Sequence, residues 1–339
     1  MIRKDAVTFT EEGYFPSVPD SGFLVYDGAL REAPAEDYGN YTDLPPEIRI
    51  IAAKAGTGII THKDKRRTIY NTQCLAEDAR ELMEQGKYVI VVSSGAIGLG
   101  RKKRLRRGER IPEKEKNSAQ QRQRDAEVGQ YLLYTLWEHH LYPLRTSESL
   151  VVNSDLVDQQ KRDNLFRGYV SDLERGRIPI INEDDRRTLE EIETQIEGRT
   201  VFRDNDGLWA LICGNIGNYL TDELKRNGQG ILGVNLTTTD GIYTLESLRN
   251  ETYRPIRVVL NPEGLEQQVD EEMSAVGRGG GISKVLGLRD VTAAGGYAVI
   301  ANGQYCNHDR SGKSQPREYR PFRAILEGKV IGTRALPGL

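Results

Sequence analysis

Four short stretches combine lysines, acids, amides and glycines in ways that suit an anionic substrate. Lys54-Ala55-Gly56-Thr57-Gly58 follows an apolar run. Its glycines let backbone amides approach an anion, and its lysine adds a point charge. An ordinary strand-to-helix turn with a surface lysine accounts for it equally well. Ser93-Ser94-Gly95-Ala96-Ile97-Gly98-Leu99-Gly100 carries small residues from a strand end into a helix start. Free N–H groups and serine hydroxyls there suit a carboxylate or phosphate. The alternative is a turn kept small for helix–sheet packing, and the order is not the GxGxxG of a dinucleotide fingerprint. Asn182-Glu183-Asp184-Asp185 and Asp204-Asn205-Asp206 place acids and amides at a strand end and a helix start. Such carboxylates hold an ammonium group, orient lysines or contact magnesium. The plainer account is an Asp204 N-cap plus a solvated acidic turn. Gly277-Arg278-Gly279-Gly280-Gly281-Ile282-Ser283-Lys284 runs three consecutive glycines into a helix start, with a lysine one turn inside. That geometry cradles a polyphosphate. A flexible linker is the competing account, weakened by the helical pattern that follows Lys284.

Other signals carry less. Ser311-Gly312-Lys313-Ser314 looks like the end of a Walker A loop, but position 307 is Asn307 and no strand leads in. Arg101–Arg110 holds seven Lys or Arg in ten residues, with Glu109 inside, Glu113 nearby and no aromatics for stacking. It reads as a solvated continuation of a helix rather than a nucleic-acid site. The four histidines form no HExxH pattern. Cys74, Cys213 and Cys306 are far apart and odd in number, which excludes a disulfide scaffold and a CxxC metal site.

The elements that position these stretches follow from periodicity. Buried strands are expected at Ile48–Ala53, Tyr88–Val92, Ile178–Ile181, Ile231–Leu236 and Tyr297–Ala301, with short ones at Leu150–Val152 and Lys329–Gly332. Helices are expected at Tyr70–Gln85, Gln120–His140, Asn164–Arg175, Asp204–Asn215 and Ser283–Ala294. The strands are apolar throughout rather than alternating, so both sheet faces are covered by helices. The expected fold is a three-layer αβα sandwich around a mostly parallel central sheet, with ligands at the carboxyl ends of the strands. The chemistry-bearing stretches fall at those ends. At 339 residues the chain is long enough for about two domains of ~150 residues, or for one large α/β domain. Residues 1–46, rich in Pro, Gly, Asp and Glu, read as an N-terminal extension, and 47–339 as one domain.

A net charge of −3 argues against a polyanion binder. No run approaches the roughly 18–20 apolar residues needed to cross a bilayer. The N-terminus lacks an apolar h-region and is too acidic for a transit peptide, so a cytoplasmic location is expected.

Several motifs recur in one order: Lys54–Thr57, Val91–Gly100, Val128-Gly129-Gln130, Asn164, Pro179–Asp185, Asp204–Asp206, Asp240–Thr244, Gly277–Lys284 and Val330–Thr333. Over about Ile48 to Thr333 this set resembles the glutamate 5-kinases of proline synthesis, in the amino acid kinase superfamily. It is also similar to the kinase half of bifunctional pyrroline-5-carboxylate synthase. The resemblance implies ATP-dependent phosphorylation of the γ-carboxylate of L-glutamate, with Mg²⁺ carried by ATP and no protein metal ligand assigned. It implies that Lys54 and Lys284 bind the phosphates and neutralise the transferring group, with Asp206 and Asp204 orienting the lysines. The substrate side would be Ser94, Gly95, Asn164, Asn182, Asp185 and Asn205. The nucleotide side would add Gly56, Thr57, Thr237, Thr238, Arg278, Gly279, Gly280, Gly281, Ile282 and Ser283. A homo-oligomer, a γ-glutamyl phosphate reductase as partner, no nucleic acid and no membrane complete the implied picture, without the PUA or reductase domain some members carry. Three residues depart from the family pattern: Thr238 replaces an acid, Asp184 an asparagine, and Glu127 a small residue. These leave open a kinase of the same fold with another carboxylate or phosphate acceptor, or a non-catalytic regulatory member.

Overall fold

The computed structural model describes residues 22–42, 44–45, 47–62, 65–116, 118–187, 202, 204–225, 230–252, 254–269, 280–304, 320–329 and 331–337. Eleven strands form one sheet: β1 (Phe23–Asp27), β2 (Leu30–Ala33), β3 (Ile48–Ala55), β4 (Tyr88–Ser93), β5 (Arg145–Val151), β6 (Arg177–Glu183), β7 (Gly230–Thr237), β8 (Ile242–Tyr243), β9 (Pro255–Asn261), β10 (Tyr297–Asn302) and β11 (Thr333–Ala335). Their order is β2-β1-β9-β11-β10-β7-β3-β4-β6-β5, with β8 paired to β9. The six strands from β10 to β5 are all parallel. The direction reverses at β11, which runs antiparallel to β10 and parallel to β9.

The helices are α1 (Thr57–Ile60), α2 (Lys65–Glu84), α3 (Ala96–Arg106), α4 (Ala119–Leu141), α5 (Asn153–Val157), α6 (Gln159–Glu174), α7 (Asn205–Ile216), α8 (Asp222–Lys225), α9 (Leu245–Arg249), α10 (Gly281–Ala293) and α11 (Pro321–Leu326). Two apolar layers sandwich the sheet. On one face Ile50, Ala52, Ile90 and Val92 pack against Phe166 and Leu173 of α6, Trp209 of α7 and Leu288 of α10. On the other, Ile51, Ala53, Val89 and Val91 pack against Leu75 and Leu82 of α2, Leu133 and Trp137 of α4 and Phe322 of α11. Alternate residues of one strand thus serve opposite layers, which is why β3 and β4 are apolar at nearly every position. Trp209 anchors α7 to the sheet by donating its indole N–H to the Ala52 carbonyl at 2.8 Å. The buried Asp78 on α2 accepts the first backbone N–H groups of α11, from Phe322 at 2.6 Å and Arg323 at 3.2 Å.

Several boundaries differ from the sequence expectation. Part of the extension joins the sheet: β1 pairs in parallel with β9 and antiparallel with β2. The short strand expected at Lys329–Gly332 falls at Thr333–Ala335, because Gly332 turns the chain with φ +68°. The strand expected at Leu150–Val152 begins at Arg145 and ends at Val151. Its polar text reflects its place at the sheet edge, where one side meets solvent.

Helices α3 and α4 pack backbone to backbone through glycine. A methyl group added at Gly100 would lie 1.8 Å from the Asp125 carbonyl oxygen, and one at Gly129 would lie 1.8 Å from that of Ala96. The motif glycines at 100 and 129 are therefore packing residues. The basic run is partly structural too. Arg101 and Arg104 each reach the fully buried Asp125 at 2.8 Å, and Lys102 donates to the carbonyls of Thr61 and His62 at 2.7 Å. Gly100→Ala is expected to cost about 2–3 kcal/mol, since backbone on both sides must shift to admit the methyl. A thermal unfolding midpoint equal to wild type would contradict this contact.

Candidate active site

The carboxyl ends of β3, β4, β6 and β7 bring the chemistry-bearing stretches together. Lys54, the penultimate residue of β3, is buried, and its Nζ lies 2.6 Å from Asp206 Oδ1. Asp206 sits in the first turn of α7. Lys284, one turn into α10, places Nζ 3.7 Å from Asp206 Oδ2 and donates to the Gly280 carbonyl at 3.3 Å. One carboxylate, 1% exposed, thus stands between two lysines that are 230 residues apart in the chain. Burial would raise the Asp206 carboxyl, but Lys54 and Lys284 outweigh it and hold the group well below the usual aspartate range. Burial pushes the Lys284 ammonium down, while Asp206 pulls the other way. The Lys54–Asp206–Lys284 trio sets two basic side chains against one acid, which suits a polyphosphate.

The next residue back along α7 faces a different neighbourhood. Asn205 Nδ2 donates to Asn182 Oδ1 at 3.0 Å, and its Oδ1 accepts the Glu183 backbone N–H at 3.3 Å. Asn182 in turn donates to Gln130 Oε1 at 2.8 Å, and Gln130 donates to Glu148 at 2.9 Å. Because a carboxylate only accepts, Glu148 fixes the direction of every amide in this relay. Ser94 precedes α3, with its N–H donated to the Ala55 carbonyl at 3.0 Å. Gly95, at φ +117°, makes the turn that starts the helix there.

Two roles expected from the sequence move. Asp204 spends Oδ1 on capping α7, accepting from the N–H groups of Asp206 at 2.9 Å and Gly207 at 3.0 Å. It reaches Lys284 only through its field. Asn164 is exposed on α6, and its side chain makes no hydrogen bond among the described residues. Gly56 caps α1 and donates to the Leu236 carbonyl at 3.0 Å, beside Thr57 and the end of β7 at Thr237. Gly280, Gly281, Ile282 and Ser283 form the entry to α10. Arg278 and Gly279 lie outside the described residues.

The three departures from the family pattern have local explanations. Thr238 is exposed, and its methyl covers Gly58, where an added Cβ would come within 2.5 Å. Asp184 is buried but accepts from the Arg186 backbone N–H at 3.2 Å, with that guanidinium 3.7 Å away. Glu127 faces solvent on α4. One polar side chain escaped the sequence reading altogether. Asn235, fully buried on β7, donates Nδ2 to Asp206 Oδ1 at 2.8 Å. The signal was an asparagine inside the apolar run Ile231–Leu236.

The chain belongs to the amino acid kinase family, whose profile matches residues 49–218. It is 29% identical over 296 residues to the glutamate 5-kinase of Cupriavidus pinatubonensis, covering 86% of this chain and 68% of that protein. Over 269 residues it is 32% identical to the glutamate 5-kinase of a Synechococcus species, covering 78% of this chain and 61% of that one. Its fold is like that of the carbamate kinase from Giardia lamblia bound to AMP-PNP, with a TM-score of 0.50, 13% identity and coverage of 85% and 98%.

Proposed function

We propose that this protein is a glutamate 5-kinase, which transfers the γ-phosphoryl group of ATP to the γ-carboxylate of L-glutamate in proline biosynthesis. The observation that carries the proposal is the first turn of α7. There Asp206 gathers two lysines for the donor, and the adjacent Asn205 opens onto the amides of β6 for the acceptor. Curated glutamate 5-kinases align along most of the chain, which supports glutamate as that acceptor.

The chemistry asks little else of the protein. A carboxylate is already ionised at neutral pH, so no general base is needed. Two anions must instead be held in line while charge builds on the transferring group. Lys54 and Lys284 supply that compensation in a site where water is largely excluded. Ser94, Asn182, Asp185 and Asn205 bind the acceptor, and the Asp185 carboxylate takes its ammonium group. Thr57 and the amides entering α10 hold the phosphates. The described residues contain no cluster of three or more His, Cys, Asp or Glu that could hold a metal ion. On this reading Mg²⁺ would enter on the nucleotide's phosphates and offset their charge there. The product is an acyl phosphate, so the reading includes a γ-glutamyl phosphate reductase that consumes it, a homo-oligomeric state and a cytoplasmic location.

The test is ADP release with Mg·ATP, offering glutamate, aspartate, N-acetylglutamate and UMP in parallel with hydroxylamine present. Glutamate-specific release with a hydroxamate product is expected. Turnover of another acceptor alone would move the substrate, and silence with all four would remove the kinase assignment.

A further inference from the structure

The sheet register places Asn235 where an apolar residue would otherwise complete a core row. Across β6, β4, β3, β7 and β10 the aligned residues are Ile181, Val92, Lys54, Asn235 and Ile300. Ile181, Val92 and Ile300 belong to the apolar layer under α7 and α10. Lys54 and Asn235 are direct cross-strand partners, so both side chains rise on that face and meet the same atom. Lys54 Nζ and Asn235 Nδ2 both reach Asp206 Oδ1, at 2.6 and 2.8 Å. Asp206 Oδ2 accepts no hydrogen bond among the described residues and stands 3.7 Å from Lys284 Nζ. Burying an amide in an apolar row costs free energy unless its groups are paired. Here the Asn235 carbonyl Oδ1 has no partner among the described residues. The amide cannot turn to satisfy that oxygen, because turning would set it against the Asp206 carboxylate.

We propose that Asn235 is a positioning residue: it fixes the Asp206 carboxylate so that Oδ1 is committed to Lys54 and Oδ2 stays free for Lys284. With Oδ1 taking two donors, the carboxylate plane cannot rotate toward Lys54 alone. The second oxygen remains aimed at α10 when Lys284 swings between Asp206 and a phosphate. Among the described residues the groups facing this carboxylate are Lys54 from β3, Asn235 from β7 and Lys284 from α10, and Asp204 at the α7 cap acts through its field on Lys284. The inference rests on the kinase reading, but not on which acceptor is used, since the two lysines serve the donor phosphate in any case.

The experiment compares wild type, Asn235→Leu and Asn235→Asp with whichever acceptor wild type turns over. Asn235→Leu restores the apolar row while removing the donor. It is expected to lower kcat about tenfold, with both KM values within about twofold, because the charge arrangement matters most in the transition state. In Asn235→Asp the new carboxyl can donate to Asp206 only when protonated. Its kcat should therefore rise as pH is lowered from about 8 to 6, a trend wild type does not share. A purely structural role would leave the pH profile of Asn235→Asp parallel to wild type, and that outcome overturns the proposal. A third readout needs no substrate. The 15N signal of the buried Lys54 ammonium, observed in the free protein and assigned with Lys54→Ala, should shift or broaden in Asn235→Leu. An unchanged signal also overturns the proposal. Silence of wild type on every acceptor would count against the kinase reading alone, because the ammonium signal still tests the geometry.

Discussion

Lys54→Ala should lower kcat by about 10³-fold, the scale seen when one preorganised donor to a transition-state charge is removed. Two effects add. The phosphoryl group loses a buried cation during transfer, and Asp206 loses its 2.6 Å partner while remaining inside the site. Among the described residues the only other cation at Asp206 is Lys284, at 3.7 Å. The variant should still bind nucleotide with a modest change in affinity, since the entry to α10 is untouched. Single-turnover kinetics with saturating glutamate and Mg·ATP separate the chemical step from binding. A kcat within tenfold of wild type would show that Lys54 does not face the transferring group.

Asp206→Asn is the second large effect, and it should appear in stability as well as rate. Removing one partner from a buried charge cluster typically costs about 3–5 kcal/mol, because the remaining charges stay desolvated. Here two lysines would face one another across a neutral amide. A kcat loss of about 10²-fold or more is expected as the lysines separate. The pH dependence has a definite sign. The folded-state pKa of Asp206 is depressed, so its ionised form stabilises the fold above the ordinary aspartate range, and that contribution is lost as pH falls. The stability gap between wild type and Asp206→Asn should therefore be largest near neutrality and narrow on acidification from about pH 5 toward 3. Urea midpoints at a series of pH values measure it. A gap independent of pH would mean that Asp206 is not the ionised partner of the two lysines.

The parallel centre of the sheet was legible because its strands are buried on both faces. Ile48–Ala53 and Ile231–Leu236 have few residues that admit another interpretation. The edges were not. β5 reads Arg-Thr-Ser-Glu-Ser-Leu-Val, and only its last two residues are apolar. β1 is five residues long within a stretch of Gly, Asp and Pro, and it becomes a strand through pairing with β9, which lies more than 200 residues later. No local signal carries such a pairing. The site shows the same division. Lys54, Lys284 and Asp206 stood out as members of one ordered set of motifs; Lys54 by itself fits an ordinary strand-to-helix turn equally well. Asp204 illustrates the limit: an acid before a helix is a cap and a candidate catalyst in the same text, and only the contacts of its oxygens separate the two. Asn235 illustrates the opposite limit. A single polar residue in an apolar strand looks like noise until the register sets it beside Lys54.

The contact between Gly100 and Gly129 sets which parts of the cleft can move independently. Ser94 and Gly95 lead into α3, and Gln130, one residue past Gly129, holds Asn182 from α4. With the two backbones touching, sliding or rolling one helix over the other would open a void or force a clash. Helices α3 and α4 therefore behave as a weld rather than a joint. Under the proposed function, Ser94 and Gln130 keep their spacing across that weld, and shortening of the gap between phosphate and carboxylate falls to the nucleotide side.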